Sequence, residues 1–225
     1  LYCANTGEPL TVEGLEALQF SRLSPKRDQD VDLIGRFGVG FKSLLAVTDS
    51  PAIFSRTGSV LFDAGRAEEE IRSRVPEARQ TPKMRLAFPL DPEQEFSDDP
   101  ELAELATWAD TVVRLPIGND DRELIEEELR GFPSEFLLFA HHMEQITLRW
   151  AGNERRITAK ERGGLVTLVD GDDRTRWRVF DTTGGLPDKA KADAPTGSGG
   201  DRPVPVLWAV PVDGSPKGRV WTFFP

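Results

Sequence analysis

The pattern of apolar and polar positions changes character near residue 143. Up to that point, the chain contains two kinds of stretch. In some, apolar residues have helical spacing, and in others every second residue is apolar, as in a half-buried strand. From residue 144 onward, short strand-like stretches follow one another through turns rich in Gly, Asp and Asn. The pattern predicts an α+β chain, with a helix-and-sheet domain at 1–143 and an antiparallel β-rich region at 144–225.

The first region opens with the end of a predicted strand at residues 1–4 and a turn at Asn5-Thr6-Gly7. Thr11 is the predicted N-cap of a short helix, because its hydroxyl can accept from a free backbone N–H. The polar stretch 21–32, interrupted by Pro25, predicts a mobile loop. Helices are predicted at 12–20, 65–75, 120–130 and 134–142, and another is predicted to begin near Gly40. The remaining predicted elements are a hairpin turning at Thr57-Gly58, strands at 83–90 and 111–117, and an acidic loop at 91–100.

Four strands of the second region are predicted to form an antiparallel meander, because only short turns separate them. Residues 183–203 contain Gly, Pro, Ala and Asp without apolar anchors, which indicates a flexible loop. Two more strands are predicted after that loop. The strands of this region are predicted at 145–150, 154–159, 165–169, 174–180, 204–212 and 219–224.

Charge and composition narrow the classes of partner. The chain has 225 residues and a net charge of -10, which argues against a nucleic-acid partner and against an anionic membrane surface. No apolar run approaches the roughly 20 residues that span a bilayer. One cysteine, Cys3, excludes an internal disulfide framework, so a cytoplasmic setting is expected. The chain begins and ends inside predicted strands, and we interpret it as a piece of a longer protein.

The stretch 34-IGRFGVGFKS-43 places three glycines before an apolar run, which is typical of a backbone that approaches a ligand closely. A dinucleotide-binding fingerprint requires the order G-x-G-x-x-G after a buried strand, and here the order is reversed. A P-loop requires the lysine directly after the last glycine. Phe41 intervenes, which would turn Lys42 by about 100° on a helix. Both patterns therefore fit this stretch poorly.

A third pattern fits better, and it comes with other segments in a fixed order. The run 35-GRFGVGFKSLLAVTDSPAIFS-55 resembles the second glycine box of the Bergerat-fold (GHKL) ATPases, in particular the heat-shock-ninety and sacsin branch. The run 5-NTGEPLTVEGLEAL-18 resembles the first glycine box. Thr111 in 110-DTVVRLPI-117 resembles the threonine box, and 132-FPSEFLLFAHHMEQITLRW-150 resembles the end of that domain. The resemblance covers about the first 150 residues and extends more weakly into a sacsin-like region.

The resemblance implies a partial Bergerat-type two-layer α/β sandwich, lacking its N-terminal box, that binds ATP and Mg²⁺. In the family an aspartate usually accepts from the adenine amino group, and here Asn5 stands there with an oxygen that also accepts. Thr111 is implied to reach the nucleotide directly or through water. The glycines are implied to turn backbone N–H groups toward the phosphates, under a lid formed by residues 21–34 with Lys26 and Arg27 as cations. The implied nucleotide-binding residues are Asn5, Gly7, Lys26, Gly35, Arg36, Phe37, Gly38, Val39, Gly40, Phe41, Lys42 and Thr111.

The family carries its general-base glutamate and its magnesium-binding asparagine on a helix before the first glycine box. No catalytic residue is therefore assigned in this chain, which alone is expected to be inactive. The parent protein is expected to be a chaperone-like ATPase, with ATP, ADP and a client or partner protein as its partners. The alternative is a non-catalytic interaction module that keeps the fold, which Asn5 in place of aspartate favours. A histidine kinase or DNA-transaction ATPase fits the TD-x-P continuation and the meander less well.

Two smaller patterns remain. His141 and His142 lack ligand partners at metal spacing, so a surface or core-edge pair is the simpler interpretation. Arg174, Arg176 and Arg178 alternate along one predicted strand and form a basic stripe. The stripe is interpreted as a solvated or edge-protecting face, and a partner's acidic surface is the alternative.

Overall fold

The computed structural model describes residues 1–19, 41, 44, 47–82, 85–140, 142–182, 184–185, 203–204, 206–214 and 218. The chain divides into two compact units, Leu1–Arg122 and Glu123–Trp221. The division therefore precedes the change of sequence pattern at residue 143, and the domain boundary predicted there stays a prediction. Each unit has its own antiparallel sheet, so the predicted α+β class is confirmed.

The first unit is built around a sheet with the strand order β1-β5-β2-β3-β4. Neighbouring strands are antiparallel throughout. Its elements are β1 (Tyr2–Asn5), α1 (Val12–Gln19), β2 (Ala52–Ser55), β3 (Gly58–Leu61), α2 (Ala64–Arg74), β4 (Phe88–Pro89), α3 (Pro92–Asp98), α4 (Pro100–Ala106) and β5 (Thr111–Arg114), and α5 (Asn119–Gly131) follows.

Alternation along the strands sends side chains to two faces of this sheet, and each face is covered. Ala52, Phe54 and Val112 are buried together with Leu102 of α4. Ile53 lies between Ala52 and Phe54 and belongs to the other face, where it is buried with Phe62 against the leucines of α1. A one-residue slip of β2 or β5 would expose one of these clusters, so burial fixes the register.

Several local predictions for this unit are confirmed and several are wrong. The hydroxyl of Thr11 accepts from Gly14 N at 3.0 Å and caps α1 as predicted. The hairpin turn is at Arg56-Thr57, one residue earlier than predicted, because Ser55 pairs with Gly58. The strand predicted at 83–90 is only Phe88–Pro89 in the described part of the chain.

The stretch 91–100, predicted as a loop, instead starts two helices. Asp91 caps α3 by accepting from Glu93 N at 3.1 Å, and Asp99 caps α4 by accepting from Leu102 N at 3.0 Å. Each aspartate is followed by a proline, whose fixed φ and missing N–H suit the first helical position. The acidic, proline-containing stretch therefore contains the starts of two helices, and the prediction of a loop is wrong.

The second unit holds a meander with the strand order β12-β9-β8-β7-β6, and the predicted meander is confirmed. Ile157 and Leu168 are buried on its inner face with Leu137 and Leu138 of a 3-10 helix, Ser134–Leu138. The helix predicted at 134–142 is thus this shorter turn. The strands of the unit are β6 (Gln145–Trp150), β7 (Asn153–Arg162), β8 (Leu165–Asp170), β9 (Asp173–Asp181), β10 (Gly184–Gly185), β11 (Pro203–Val204) and β12 (Leu207–Pro211).

Arg155 joins the end of α5 to the inner face of this sheet. Its Nε and Nη2 donate to the two carboxylate oxygens of Asp170 at 2.9 and 2.6 Å. Its Nη1 donates to the carbonyl oxygen of Arg130 at 2.9 Å, in the last turn of α5, where carbonyls lack intrahelical partners. The hydrogen bond from Arg155 lowers the pKa of the Asp170 carboxyl, although partial burial opposes the shift.

We expect Arg155→Ala to lower the free energy of unfolding by about 2–3 kcal/mol. The substitution removes the bidentate ion pair with Asp170 and the hydrogen bond to the carbonyl oxygen of Arg130 together. The contribution of Asp170 is present above its unfolded pKa, about 3.9, and is lost as the pH falls through its lower folded pKa. The difference between the two proteins should therefore shrink in acid. Urea unfolding at neutral and at acid pH measures it.

The matched control is Arg149→Ala, which removes a surface pair on the same sheet. Arg149 Nε lies 3.0 Å from a carboxylate oxygen of Glu154, and the two side chains are 54% and 43% exposed. Such a pair contributes less than about 1 kcal/mol. Equal losses of stability from the two variants would contradict the anchoring role of Arg155.

Candidate functional site

Three strand ends from distant parts of the chain meet at one edge of the first sheet. β1 ends at Asn5, β5 begins at Thr111 and β2 ends at Ser55. Thr111 pairs with Asn5 on one side and with Ser55 on the other. Directly paired residues project to the same face of a sheet, so the three side chains form one row, which we call the strand-end row.

The strand-end row presents hydrogen-bond acceptors. Ser55 Oγ lies 3.1 Å from Asp110 O and 3.3 Å from Thr111 Oγ1. Because the single proton of Ser55 is donated to the carbonyl oxygen, Thr111 donates to Ser55 and keeps its own oxygen as an acceptor. The amide nitrogen of Asn5 donates to Thr6 O at 3.4 Å, which leaves Asn5 Oδ1 as a second acceptor. The row is therefore suited to a ligand edge that donates hydrogen bonds.

Asp110 holds the turn after β1 against the start of β5. Its carboxylate accepts from Gly7 N at 2.9 Å and lies 2.9 Å from Nε of Arg56. Its backbone N–H donates to Asn5 O at 3.0 Å. Gly7 has φ +150, which side-chain-bearing residues rarely adopt, and an added Cβ would lie 3.8 Å from Asn5 Nδ2. The turn thus needs glycine at this position.

Sequence reasoning missed Asp110 and Ser55. Both lie directly beside residues that the strand pattern singles out, but an aspartate before a strand is usually a solvated turn residue. A serine at the end of a hairpin strand is equally common. Only the register of β1, β5 and β2 shows that Ser55 belongs to the strand-end row and that Asp110 lies beside it.

Phe41 lies on the face of the sheet to which the strand-end row belongs. Its ring packs edge-on against Phe62, with centroids 5.6 Å apart and planes at 61°. Both rings belong to the cluster of Ile53, which also contacts Val113. Val113 is two residues from Thr111 and projects to the same face. Of the stretch 34–43, Phe41 is the residue that the structure describes, and it lies on this face.

The other sequence-predicted site residues lie outside the described part of the chain. The proposed lid segment 21–34 and the helix predicted from near Gly40 fall there too, apart from Phe41 itself. The flexible loop predicted at 183–203 is likewise outside, except for its ends. The site residues not described are Lys26, Gly35, Arg36, Phe37, Gly38, Val39, Gly40 and Lys42.

Within the described ranges, no three His, Cys, Asp or Glu side chains are grouped as metal ligands would be. The carboxylate next to the strand-end row, Asp110, is already engaged by Gly7 N and Arg56. No helix in the described ranges has both the length and the apolar character to cross a membrane.

Comparison with known proteins gives a distant likeness to a chaperone. No family model matches the chain, and no solved structure matches it significantly. The chaperone protein HtpG of Shewanella loihica is 27% identical over 154 residues, which cover 63% of this chain and 24% of that chaperone. This chain therefore spans about a quarter of the length of that relative. It is similar, over part of its length, to a chaperone, which is compatible with the predicted relationship to the Bergerat-fold (GHKL) superfamily, while the heat-shock-ninety and sacsin branch stays a prediction.

Proposed function

We propose that this chain is the nucleotide-binding part of a chaperone-like ATPase of the Bergerat fold. The observation that carries the proposal is the strand-end row, in which Asn5 and Thr111 are direct partners in the register. These residues come from two of the segments that resemble the family's boxes. Phe41, from the third, packs on the same face. The likeness to HtpG supports the same proposal independently of the geometry.

In this proposal the strand-end row reads the adenine base. The exocyclic amino group of adenine carries two protons, and Asn5 Oδ1 and Thr111 Oγ1 both remain as acceptors. Asp110 keeps Gly7 in place, and a glycine there leaves room for the base. The row would disfavour a base that carries a carbonyl in place of the amino group of adenine. The carbonyl oxygen would then face the oxygens of Asn5 and Thr111 with no proton to share.

The phosphates are assigned to the glycine motif. Backbone N–H groups of Gly35, Gly38 and Gly40 would bind phosphate oxygens. Lys26 and Lys42 are the proposed cations, and Arg36, Phe37 and Val39 complete the motif. Mg²⁺, when bound with ATP, would neutralise phosphate charge, and its protein ligand is expected upstream of Leu1. Closure of residues 21–34 over bound ATP would then change the shape or the pairing of the parent protein.

The second candidate is a protein-interaction module that keeps this fold without binding nucleotide. The observation that favours it is Asn5, which has no charge to strengthen a bond to the adenine amino group. Its exposed amide oxygen can still accept, but a neutral acceptor gives roughly half the strength of a charged one. The two candidates therefore differ in a measurable quantity, the affinity for ATP.

Calorimetric titration of ATP and ADP with Mg²⁺ separates the two candidates. It should be made on this chain and on one extended by the encoded residues upstream of Leu1. We expect the extended chain to bind ATP and Gly38→Val to abolish the heat, because a β-branched side chain would block the backbone from the phosphates. Gly131→Val, at a position with open space around it, is the matched control. A folded extended chain that gives no heat at millimolar ATP would exclude nucleotide binding and favour the interaction module.

A further inference from the structure

The sheet of the second unit has an outward face that is rich in positive charge. Core residues alternate with outward ones along each strand, so Ile157 and Ala159 of β7 are buried while their neighbours are exposed or half-buried. The structure places the arginine stripe of β9 on this outward face, beside a second row of cations on β7. We call this surface the basic face; its exposed cations are Arg156, Lys160, Arg162, Arg174, Arg176 and Arg178.

The register arranges these cations as two parallel rows. β8 lies between β7 and β9, so the two rows are about 9–10 Å apart. Between them β8 contributes short or apolar side chains that are half-buried, Leu165, Thr167 and Val169. Lys160, Thr167 and Arg176 form one cross-strand set, and Arg162 pairs with Leu165 at the end of β7. The basic face is therefore a shallow channel with an uncharged floor and positive sides.

Most of these charges are not paired with a carboxylate of the residues that the structure describes. Arg156 pairs with Glu154 at 3.2 Å, and Arg176 pairs with Asp213 at 2.7 Å. The other four cations make no ion pair with any residue that the structure describes; they are Lys160, Arg162, Arg174 and Arg178. These cations lie together although the whole chain carries a net charge of -10. Four neighbouring positive charges repel one another, and an anionic partner would relieve that repulsion.

The spacing of the cations favours one kind of anionic partner. Outward residues of a strand repeat about every 6.6–6.8 Å, which is two residues of any extended polypeptide. An extended segment lying along β8 would therefore keep alternate side chains opposite the cations over the whole strand. A long polyanion such as nucleic acid would be repelled by the rest of this acidic chain. We propose that the basic face binds an extended acidic polypeptide segment with Asp or Glu at alternate positions.

An apolar patch at one end of the basic face extends the proposal. Phe180 and Trp208 are direct cross-strand partners on β9 and β12, and their side chains are 46% and 59% exposed. Arg178 and Val210 form the next pair on the same face, and Val210 is also exposed. Exposed tryptophan beside arginine is the composition that dominates binding energy at interfaces. The bound segment should therefore carry an aromatic or aliphatic residue at one end.

Fluorescence anisotropy on the full chain, without nucleotide, tests this proposal separately from ATP binding. The probe is a labelled peptide of alternating glutamate and threonine with one terminal phenylalanine, roughly ten residues long to span β8. The comparison peptide has the same composition with its glutamates in one block. We expect the alternating peptide to bind at least about fivefold more tightly and both affinities to fall in high salt. Equal affinities, no binding, or tighter binding of an oligothymidylate would each overturn the proposal.

Charge reversal locates the binding surface. Arg174→Glu with Arg178→Glu should weaken binding of the alternating peptide by about tenfold or more. Lys160→Glu with Arg162→Glu makes the same test from the other row, in case the first pair disturbs folding. The matched control is Arg72→Glu with Arg74→Glu on α2 of the first unit, which changes the net charge equally outside the basic face. If the control loses as much affinity as the folded test variants, the attraction is general and the proposal fails.

Discussion

Replacing Gly7 by valine should lower the affinity for the proposed ligand, ATP, by at least about a hundredfold, because φ +150 is closed to a β-branched residue. The turn must then move, and its hydrogen bond from Gly7 N to Asp110 is lost. That movement displaces Asn5, which holds one of the two proposed acceptors for the adenine amino group. Calorimetric titration of the upstream-extended chain with ATP, beside a thermal unfolding curve, measures both effects.

The matched control for this substitution is Gly152→Val in the turn between β6 and β7. Gly152 also has a positive φ, +78, and nothing lies within 4 Å of an added Cβ. Both variants therefore carry backbone strain, but only Gly7 touches the strand-end row. Thr111→Val adds a test without strain, since it removes one hydroxyl at constant shape and should weaken ATP binding by about tenfold. Undiminished ATP binding by folded Gly7→Val protein would rule out the strand-end row as the base site.

The largest loss of stability is expected from Asp99→Ala in the first unit. Asp99 caps α4, accepts from the hydroxyl of Tyr2 at 2.6 Å and lies 3.6 Å from Nη1 of Arg114. Its side chain is only 19% exposed. We expect the free energy of unfolding to fall by about 3 kcal/mol, from the lost cap and from the unpaired Tyr2 hydroxyl and Arg114 Nη1. Asp91→Ala removes a cap alone and should lower it by about 1 kcal/mol.

The same cluster predicts how stability depends on pH. Burial opposes the ionisation of Asp99, but hydrogen bonds from Tyr2 and Leu102 N and the charge of Arg114 outweigh it and lower the pKa of the carboxyl. Its contribution is therefore present above its unfolded pKa, about 3.9, and is lost as the pH falls through the folded pKa. Burial, and then the bond to Asp99, raise the pKa of Tyr2 to about 12. The contribution of Tyr2 is present below about 10 and is lost as the pH rises through about 12.

The ultraviolet absorbance of Tyr2 tests its hydrogen bond to Asp99. Tyr2 is the only tyrosine of the chain, so the absorbance of tyrosinate reports its ionisation alone. In the folded chain, tyrosinate should form near pH 12, and Asp99→Asn should lower that pKa while burial keeps it above the ordinary value of about 10. A folded chain in which Tyr2 ionises at its ordinary pKa would contradict the hydrogen bond to Asp99. Equal stability of the Asp99→Ala and Asp91→Ala proteins would contradict the wider role of Asp99.

The sequence pattern was reliable where one residue alone decides the local structure. Thr11 caps its helix through its own hydroxyl, so the prediction required nothing distant. The meander followed because strand alternation and short turns act within a few residues. The loop predicted at 91–100 was wrong for a local reason as well: Asp91 and Asp99 each precede proline, a helix start that overall composition conceals.

The candidate site could be predicted only where a sequence motif marks it. Asn5 and Thr111 were singled out by the resemblance, and the structure adds that they are partners in the register. Asp110 and Ser55 carry no local signal, because their role depends on which strands are neighbours across more than fifty residues. That information belongs to the sheet order and not to any one stretch of sequence.

The strand-end row needs no dedicated support to face the right way. Val112 is almost wholly buried, and the alternation of β5 then turns Thr111 to the opposite face. The burial of Val112 in the core therefore also decides to which face the strand-end row projects. Substitution of Asn5 or Thr111 should leave the fold intact, and conversely the fold exerts no selection to keep them. A chain of this design can therefore lose a ligand through substitutions at these two positions and keep its scaffold.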